Sequence, residues 1–264
     1  MSWIHLYVKL AAASLRGQMQ YKFNFAFSTL MVFGIFGLEF LMVATVIQKF
    51  GGIGGWNVYE VGYLFALMMF NRALYRMFAS EVNGFEKYLI DGMLDQLLLR
   101  PVPVLLVLMT RQFRPMLGEL ILGSLILTIC LKQLDAAGQI DWRLALLKTV
   151  PAILSGSVLT FAFGLSTAAV GFWTHRIDDL RRITDDATTN ACNYPLTIYP
   201  GWMRLILLTV LPMGFTSFVP AMHIIRGEIG LWTMPATMLL ALLLLIGALR
   251  LWRHGIMHYQ STGT

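Results

Sequence analysis

Apolar residues gather into six long stretches, at 23–47, 58–78, 113–131, 144–173, 202–221 and 232–252, with polar segments between them. An α-helix needs about 20 apolar residues to cross a bilayer, so each stretch is a candidate transmembrane helix. The run 144–173 is long enough to cross at a tilt. Residues 48–57 hold Gly51, Gly52, Gly54 and Gly55 and predict a tight turn. The segments 80–114 and 175–203 are the longest polar stretches, the first divided by Pro101 and Pro103. Pro212 interrupts the fifth stretch, and Pro195, Pro200 and Pro220 flank it, so re-entrant pieces are the alternative to a clean crossing there.

Two further patterns lie outside these stretches. Trp3, Leu6, Tyr7 and Leu10 recur at i, i+3, i+4 and i+7, with His5, Lys9 and Arg16 off that stripe. This predicts an amphipathic helix over 2–16 lying in the membrane interface, the plainer alternative being the frayed start of the first span. Within 80–99, Val82, Phe85, Leu89 and Met93 share a face, and Glu86, Lys87, Asp91 and Asp95 lie largely elsewhere. A short helix held between two spans, with a charged outer face, suits a docking element; it can equally be a surface connector. The expected fold is an all-α membrane protein, a single transmembrane domain over 1–264, with six transmembrane helices, an N-terminal interfacial helix and a cytoplasmic coupling helix. No repeat suggests the paired broken helices of an inverted-repeat carrier.

Composition agrees. The chain is 57% hydrophobic and 13% charged, with mean hydropathy +0.67, against about one-quarter charged in a soluble domain. An ordinary soluble enzyme, a disordered chain and a disulfide scaffold are excluded. Cys130 and Cys192 make no framework. The start lacks the pattern of a cleavable signal peptide, and no separate soluble domain is expected. Under the six-span topology, fifteen of the 20 Lys+Arg fall at the termini and the two long loops. The other five, Lys49, Lys132, Arg143, Lys148 and Arg226, fall opposite. This bias places both termini in the cytoplasm and explains the +6 formal charge without invoking nucleic acid.

Candidate chemistry is sparse. Glu39 lies inside the first span, where a charge costs about 2.5–3.5 kcal/mol on insertion scales. It either lines a path or dimer interface or snorkels to the outer headgroups. Asn71 and Arg72, near the end of the second span, are candidates with Glu39 for the translocation path or dimer interface, and Arg72 pairs with a carboxylate or with headgroups. Asp178, Asp179, Asp185 and Asp186 look like a Mg²⁺ site, but Arg176, Arg181 and Arg182 are interleaved, and helical ion pairing explains the run more cheaply. The histidines at 5, 175, 223, 254 and 258 give no convincing ligand pair. Gly34, Gly37, Gly118 and Gly123 suit close helix packing.

The run from Ile90 to Pro101 contains Gly92, the pair Leu94-Asp95, and Leu98-Leu99-Arg100-Pro101. It resembles a pattern in ABC-2 type transporter permeases. So does Phe172-Trp173 followed by Tyr194-Pro195 and Tyr199-Pro200, then Leu211-Pro212 and Val219-Pro220-Ala221. Gly55-Trp56 with Tyr59-Glu60 is a third, weaker likeness. The resemblance implies a six-helix exporter permease of the bacterial inner membrane. It would form the path as a dimer, with an identical or paralogous permease, above two separate cytoplasmic ATPases. Glu86, Lys87, Asp91, Asp95 and Arg100 would then belong to the ATPase-coupling element. The sequence has no Gly-x-x-x-x-Gly-Lys-Ser/Thr loop, so ATP and Mg²⁺ are expected on the partner and no cofactor on this chain. The rivals are an intramembrane prenyltransferase-like enzyme using the aspartates, and a gradient-driven secondary transporter using Glu39. The mostly aliphatic spans lean toward an amphiphilic cargo.

Overall fold

The structure, a computed structural model, describes residues 3–174 and 176–260. Ser2, His175 and the tail from 261 lie outside the described residues, as do the side chains of Trp3, Leu6 and Cys192. The described chain is helical, without strands. It forms α1 (Trp3–Met19), α2 (Lys22–Phe50), α3 (Val58–Asn83), α4 (Phe85–Ile90), α5 (Met93–Leu98) and α6 (Val104–Arg111). There follow α7 (Leu117–Ala136), α8 (Trp142–Thr174), α9 (Asp178–Asn193), α10 (Gly201–Thr209), α11 (Phe218–Ile224) and α12 (Thr233–His258). Short 3₁₀ turns at Leu196–Ile198 and Met213–Phe215 bracket α10.

α3 is the axis of the bundle. Its first turn is fixed by a capping box: the Asn57 side chain accepts from the Tyr59 and Glu60 amides at 2.9 Å, and Glu60 accepts from the Asn57 amide at 2.8 Å. From Val61 to Met69 α3 is buried all round by α2, α7 and α8. One apolar cluster surrounds this half, around Trp56, Phe65 and Leu127. A second lies at the opposite end, where Phe85, Phe172 and Trp252 stack with ring centroids 4.8–5.1 Å apart. We call the end with the Gly51–Trp56 turn the upper end and the end with α4–α6 the lower.

Four helices, α2, α7, α8 and α12, are long and apolar enough to cross a membrane. α3 is long enough but carries Glu60, Asn71, Arg72 and Arg76, which dilute its apolarity. The stretch expected as a fifth span is two helices bent by 73°. Thr197, before the bend, donates to the Gly54 carbonyl in the upper turn at 3.3 Å. Arg226, after it, lies over the Trp56 ring at 4.2 Å. Both ends therefore sit at the upper end, and the tip dips inward, where the Thr216 carbonyl accepts from Asn71 at 2.8 Å. Residues 201–224 turn back instead of crossing, because Pro200 and Pro212 break the helix on either side of α10.

The polar segment expected as a loop is instead a helix that runs from the lower end toward the upper. α9 begins at the lower end, where the Ile177 and Asp178 amides donate to Glu86. It ends with Asn193 donating to Glu39 in the upper half of α2, at 3.2 Å. Its 16 residues span about 24 Å. Arg204, expected beside the lower loops, consequently lies at the upper end, where it donates to the Leu196 and Thr197 carbonyls at 3.1 Å.

The expected single helix over 80–99 is also corrected. Gly84 and Asp91-Gly92 break it into the end of α3, then α4, then α5, with Gly92 at φ 65°, a left-handed conformation that glycine adopts without a steric cost. The third span starts at Leu117, not residue 113, because residues 112–116 around Pro115 are not helical. Gly118 lets α7 approach α2: a Cβ there would lie 2.5 Å from the Thr29 carbonyl.

Candidate functional site

The lower half of α3 carries Asn71, Arg72, Tyr75 and Arg76, whose spacing puts them on one face. That face lines a cavity of about 450 Å³. The other walls come from Gln112, Arg114 and Met116 before α7, from Thr160, Phe163 and Gly164 of α8, and from Arg181, Thr184, Asp185, Asp186 and Thr188 of α9. Thr216, at the hairpin tip, contributes too. Asn71 is 3% exposed and binds three elements together. Besides its bond to Thr216 it accepts from Ser157 of α8 at 3.3 Å. Tyr75 fits against Gly164, where a Cβ would collide with its ring, and its hydroxyl donates to Asn83.

Arg72 resolves its two alternatives in favour of a carboxylate. Its guanidinium lies 3.6 Å from Glu119 Oε1, and Arg76 donates to the same oxygen at 3.1 Å. The Phe36 ring of α2 covers the Arg72 guanidinium at 4.1 Å, a cation–π contact that fixes its plane. Glu119 is 1% exposed, in the first turn of α7, where a negative charge meets the positive end of the helix dipole. Sequence reasoning missed this residue because a lone acid vanishes in the average of an apolar run. The available signal was the pair Arg72 and Arg76, one turn apart, which calls for a buried acid.

On α9, Arg181 pairs with Asp185 at 3.2 Å and with Asp178 at 3.5 Å, the helical pairing read from the sequence. Among the described residues no group of three metal-ligating side chains converges. His254 and His258 stack at 4.1 Å beside Trp173, at the lower end of α12. Glu39 is separate from this cavity, half-buried and held by Asn193.

The lower face is built from α4 and α5. Glu86 does not point outward as expected. Its carboxylate accepts from the Ile177 and Asp178 amides, both at 2.6 Å, and so caps α9. Lys87 pairs with the buried Glu81 at 2.6 Å, and Tyr88 donates to Glu81 at 2.5 Å. Burial, then the Glu81 carboxylate, pushes the Tyr88 hydroxyl well above its ordinary range. Asp95 is half-buried beside Tyr259, whose hydroxyl is raised by burial and then by Asp95. Asp91 and Arg100 are exposed, together with Ile90 at 49% and Leu99 at 88%. Leu94 and Leu97 face inward. The motif Leu94-Asp95…Arg100-Pro101 is thus an inner anchor joined to an outer edge.

Tyr194, Pro195, Tyr199 and Pro200 shape the upper 3₁₀ turn that leads into α10, with both tyrosines packed on the upper cluster. α1 is tied beneath the cavity. Ser14 Oγ accepts from the Phe113 amide at 3.0 Å, and Gln18 donates to the Phe113 carbonyl at 2.5 Å. Burial pushes the Tyr7 hydroxyl up to about 12. Phe113 belongs to the linker that supplies Gln112 and Arg114 to the cavity, so α1 is hydrogen-bonded to the cavity wall.

The Glu86→Ala variant removes a cap that serves two amides, a loss of about 1 kcal/mol. The first turn of α9 is then expected to exchange its amide hydrogens several-fold faster, measured by hydrogen exchange with mass spectrometry. Unchanged exchange over residues 177–182 contradicts the capping role.

A family model described as "ABC-2 family transporter protein" matches residues 33–263. No curated protein and no solved structure matched.

Proposed function

We propose, from the premise that the chain belongs to the ABC-2 transporter family, that it is the permease subunit of an ATP-driven exporter. Six helices cross the membrane in this reading: α2, α3, α7, α8, α9 and α12, with α10–α11 as a hairpin dipping in from outside. The sixth crossing is α9 in place of 202–221, and both termini remain cytoplasmic in a bacterial inner membrane. Most charges of α3 and α9 are answered inside the protein: Arg72 and Arg76 pair with Glu119, Arg181 pairs with Asp178 and Asp185, and Asp186 faces the cavity.

The observation that carries the proposal is the exposed edge formed by Ile90, Asp91, Leu99 and Arg100. It lies directly below the inner anchor of Leu94 and Leu97, at the end of the axial helix. A cytoplasmic ATPase docked there pushes on α4 and α5. Glu86 passes that push to α9 and the packed Phe85 ring passes it to α8 and α12. Nucleotide and Mg²⁺ reside on two partner ATPases, and a second permease, identical or paralogous, completes the path. The exposed apolar flank of α2, with Phe27, Leu30, Leu38 and Leu41, supports a second permease against that helix.

The test is gentle extraction of the tagged chain from its native membrane, with mass spectrometry of what accompanies it. A Walker-motif ATPase in comparable amount supports the reading; a chain recovered alone and still transporting contradicts it. The double variant Ile90→Asp/Leu99→Asp, on exposed side chains, is expected to insert normally yet lose at least about tenfold of the captured ATPase, near 1.4 kcal/mol of docking energy. Capture at the wild-type level removes this edge from the coupling element.

A further inference from the structure

We infer that the cavity between α3, α8 and α9 receives an anionic headgroup of the phosphate type, carried on an amphiphile. This names the cargo class of the permease proposed above and rests on that reading. The argument begins with charge. Arg72, Arg76, Arg114 and Arg181 line the cavity, against Asp185 and Asp186. Arginine stays charged at any physiological pH, and each guanidinium presents five N–H donors in a planar fork.

Those donors are under-used. Arg72 and Arg76 share a single oxygen of Glu119, and the other oxygen, buried, has no hydrogen-bond partner among the described residues. Arg114 makes no hydrogen bond or ion pair among the described residues. Asp185 is already held by Arg181. The wall formed by α3 and the linker before α7 is therefore electropositive, with donors to spare, while the acidic wall is partly neutralised from within.

Phosphate oxygens match guanidinium forks bidentately, which suits this surplus better than a cation does. Asn71, Gln112 and Thr160 supply neutral hydrogen-bonding groups around it. Met68, Met116 and Phe163 line the same space and offer an apolar surface for the first methylenes behind the headgroup. About 450 Å³ is within the range of small-molecule sites and holds a headgroup, leaving longer chains to lie outside it. The Phe36 ring and Glu119 hold Arg72 in place before any ligand arrives, so little side-chain ordering remains to be done on binding.

The experiment is native mass spectrometry of the purified full chain, with phosphatidic acid and phosphatidylcholine of identical acyl chains as probes. Phosphatidic acid is expected to be retained at least about tenfold over phosphatidylcholine. Removing Arg72 and Arg76 alone would strand a buried carboxylate, so the variant is Arg72→Gln/Arg76→Gln/Glu119→Gln. Arg114→Gln, on an exposed side chain, is the second. Both are expected to reduce the preference several-fold, while Arg182→Gln, exposed and outside the cavity, keeps it. Displacement of the lipid by millimolar inorganic phosphate identifies free phosphate as the recognised unit; persistence against it identifies the headgroup with its chain. Equal retention of the two lipids, or an undiminished preference in both cavity variants, overturns the inference. ATPase capture by the same preparations reports on the transporter reading separately. Lost preference with intact capture sinks only the cargo class; a selective chain that captures no ATPase sinks only the transporter.

Discussion

Gly156→Ala is expected to destabilise the protein by about 2–4 kcal/mol, while Gly247→Ala, the same change in another helix, stabilises it by up to about 1 kcal/mol. Both positions are helical, so the intrinsic preference favours alanine at each. At Gly247 nothing lies within 4 Å of the added methyl. At Gly156 the methyl would press on the Asn71 amide and come within 2.7 Å of the Thr216 carbonyl. Those two groups are hydrogen-bonded to each other, and Asn71 is buried, so relief by moving either one leaves a polar group unsatisfied. The contact also seats the tip of the α10–α11 hairpin against α3 and α8. Thermal unfolding in detergent reads both variants. A Gly156→Ala protein as stable as the wild type would mean that the hairpin tip is not seated there.

Arg226→Ala should cost about 3–5 kcal/mol, the usual penalty for stranding a buried charge. Glu60 is 6% exposed, and Arg226 donates to both of its oxygens, at 3.0 and 3.1 Å. The same guanidinium lies over Trp56, pairs with Glu228 at 3.3 Å and donates to the Gly55 carbonyl. It joins the α2–α3 turn, the start of α3 and the α11–α12 connection. Most of the loss belongs to Glu60 left alone, so Glu60→Gln/Arg226→Ala is expected to regain a substantial part of it. Glu60 also serves the capping box, where glutamine is an adequate substitute. A double variant no better than the single one would place the energy in the Trp56 stacking instead. Unfolding of the two variants side by side makes the distinction.

Much of the architecture was readable because apolar length is a strong signal. α2, α8 and α12 fall within a few residues of the stretches at 23–47, 144–173 and 232–252. What failed was the assumption that a helix inside the bundle is apolar. α9 carries Asp178, Asp179, Arg181, Arg182, Asp185 and Asp186, so hydropathy assigns it to a loop. Arg181 instead pairs along the helix with Asp178 and Asp185, and Arg181, Asp185 and Asp186 face a cavity. The prolines did mark 195–220 as irregular, yet they do not say on which side of the membrane the break lies. The stripe Val82, Phe85, Leu89 and Met93 ran smoothly across Gly84 and Gly92, because an apolar period is blind to the φ angle of a glycine. At the site, Asn71 and Arg72 were legible as polar residues in an apolar helix. Glu119, Arg181 and Asp185 gain their meaning only from the packing of distant segments, and Glu39 is held by Asn193 outside the cavity lining.

The polarity of α9 bears on how the protein is made. Each Asp or Arg near the centre of a lone helix costs about 2.5–3.5 kcal/mol to place in lipid. If α9 crosses as proposed, it does not partition from the insertion machinery into the bilayer by itself. It would enter against α3 and α8, the helices it packs on. The downstream hairpin and α12 must wait for it, or be inserted first and draw it in. In the proposed topology, biogenesis of this chain thus includes a folding step inside the membrane, in which helices made before α9 take it up.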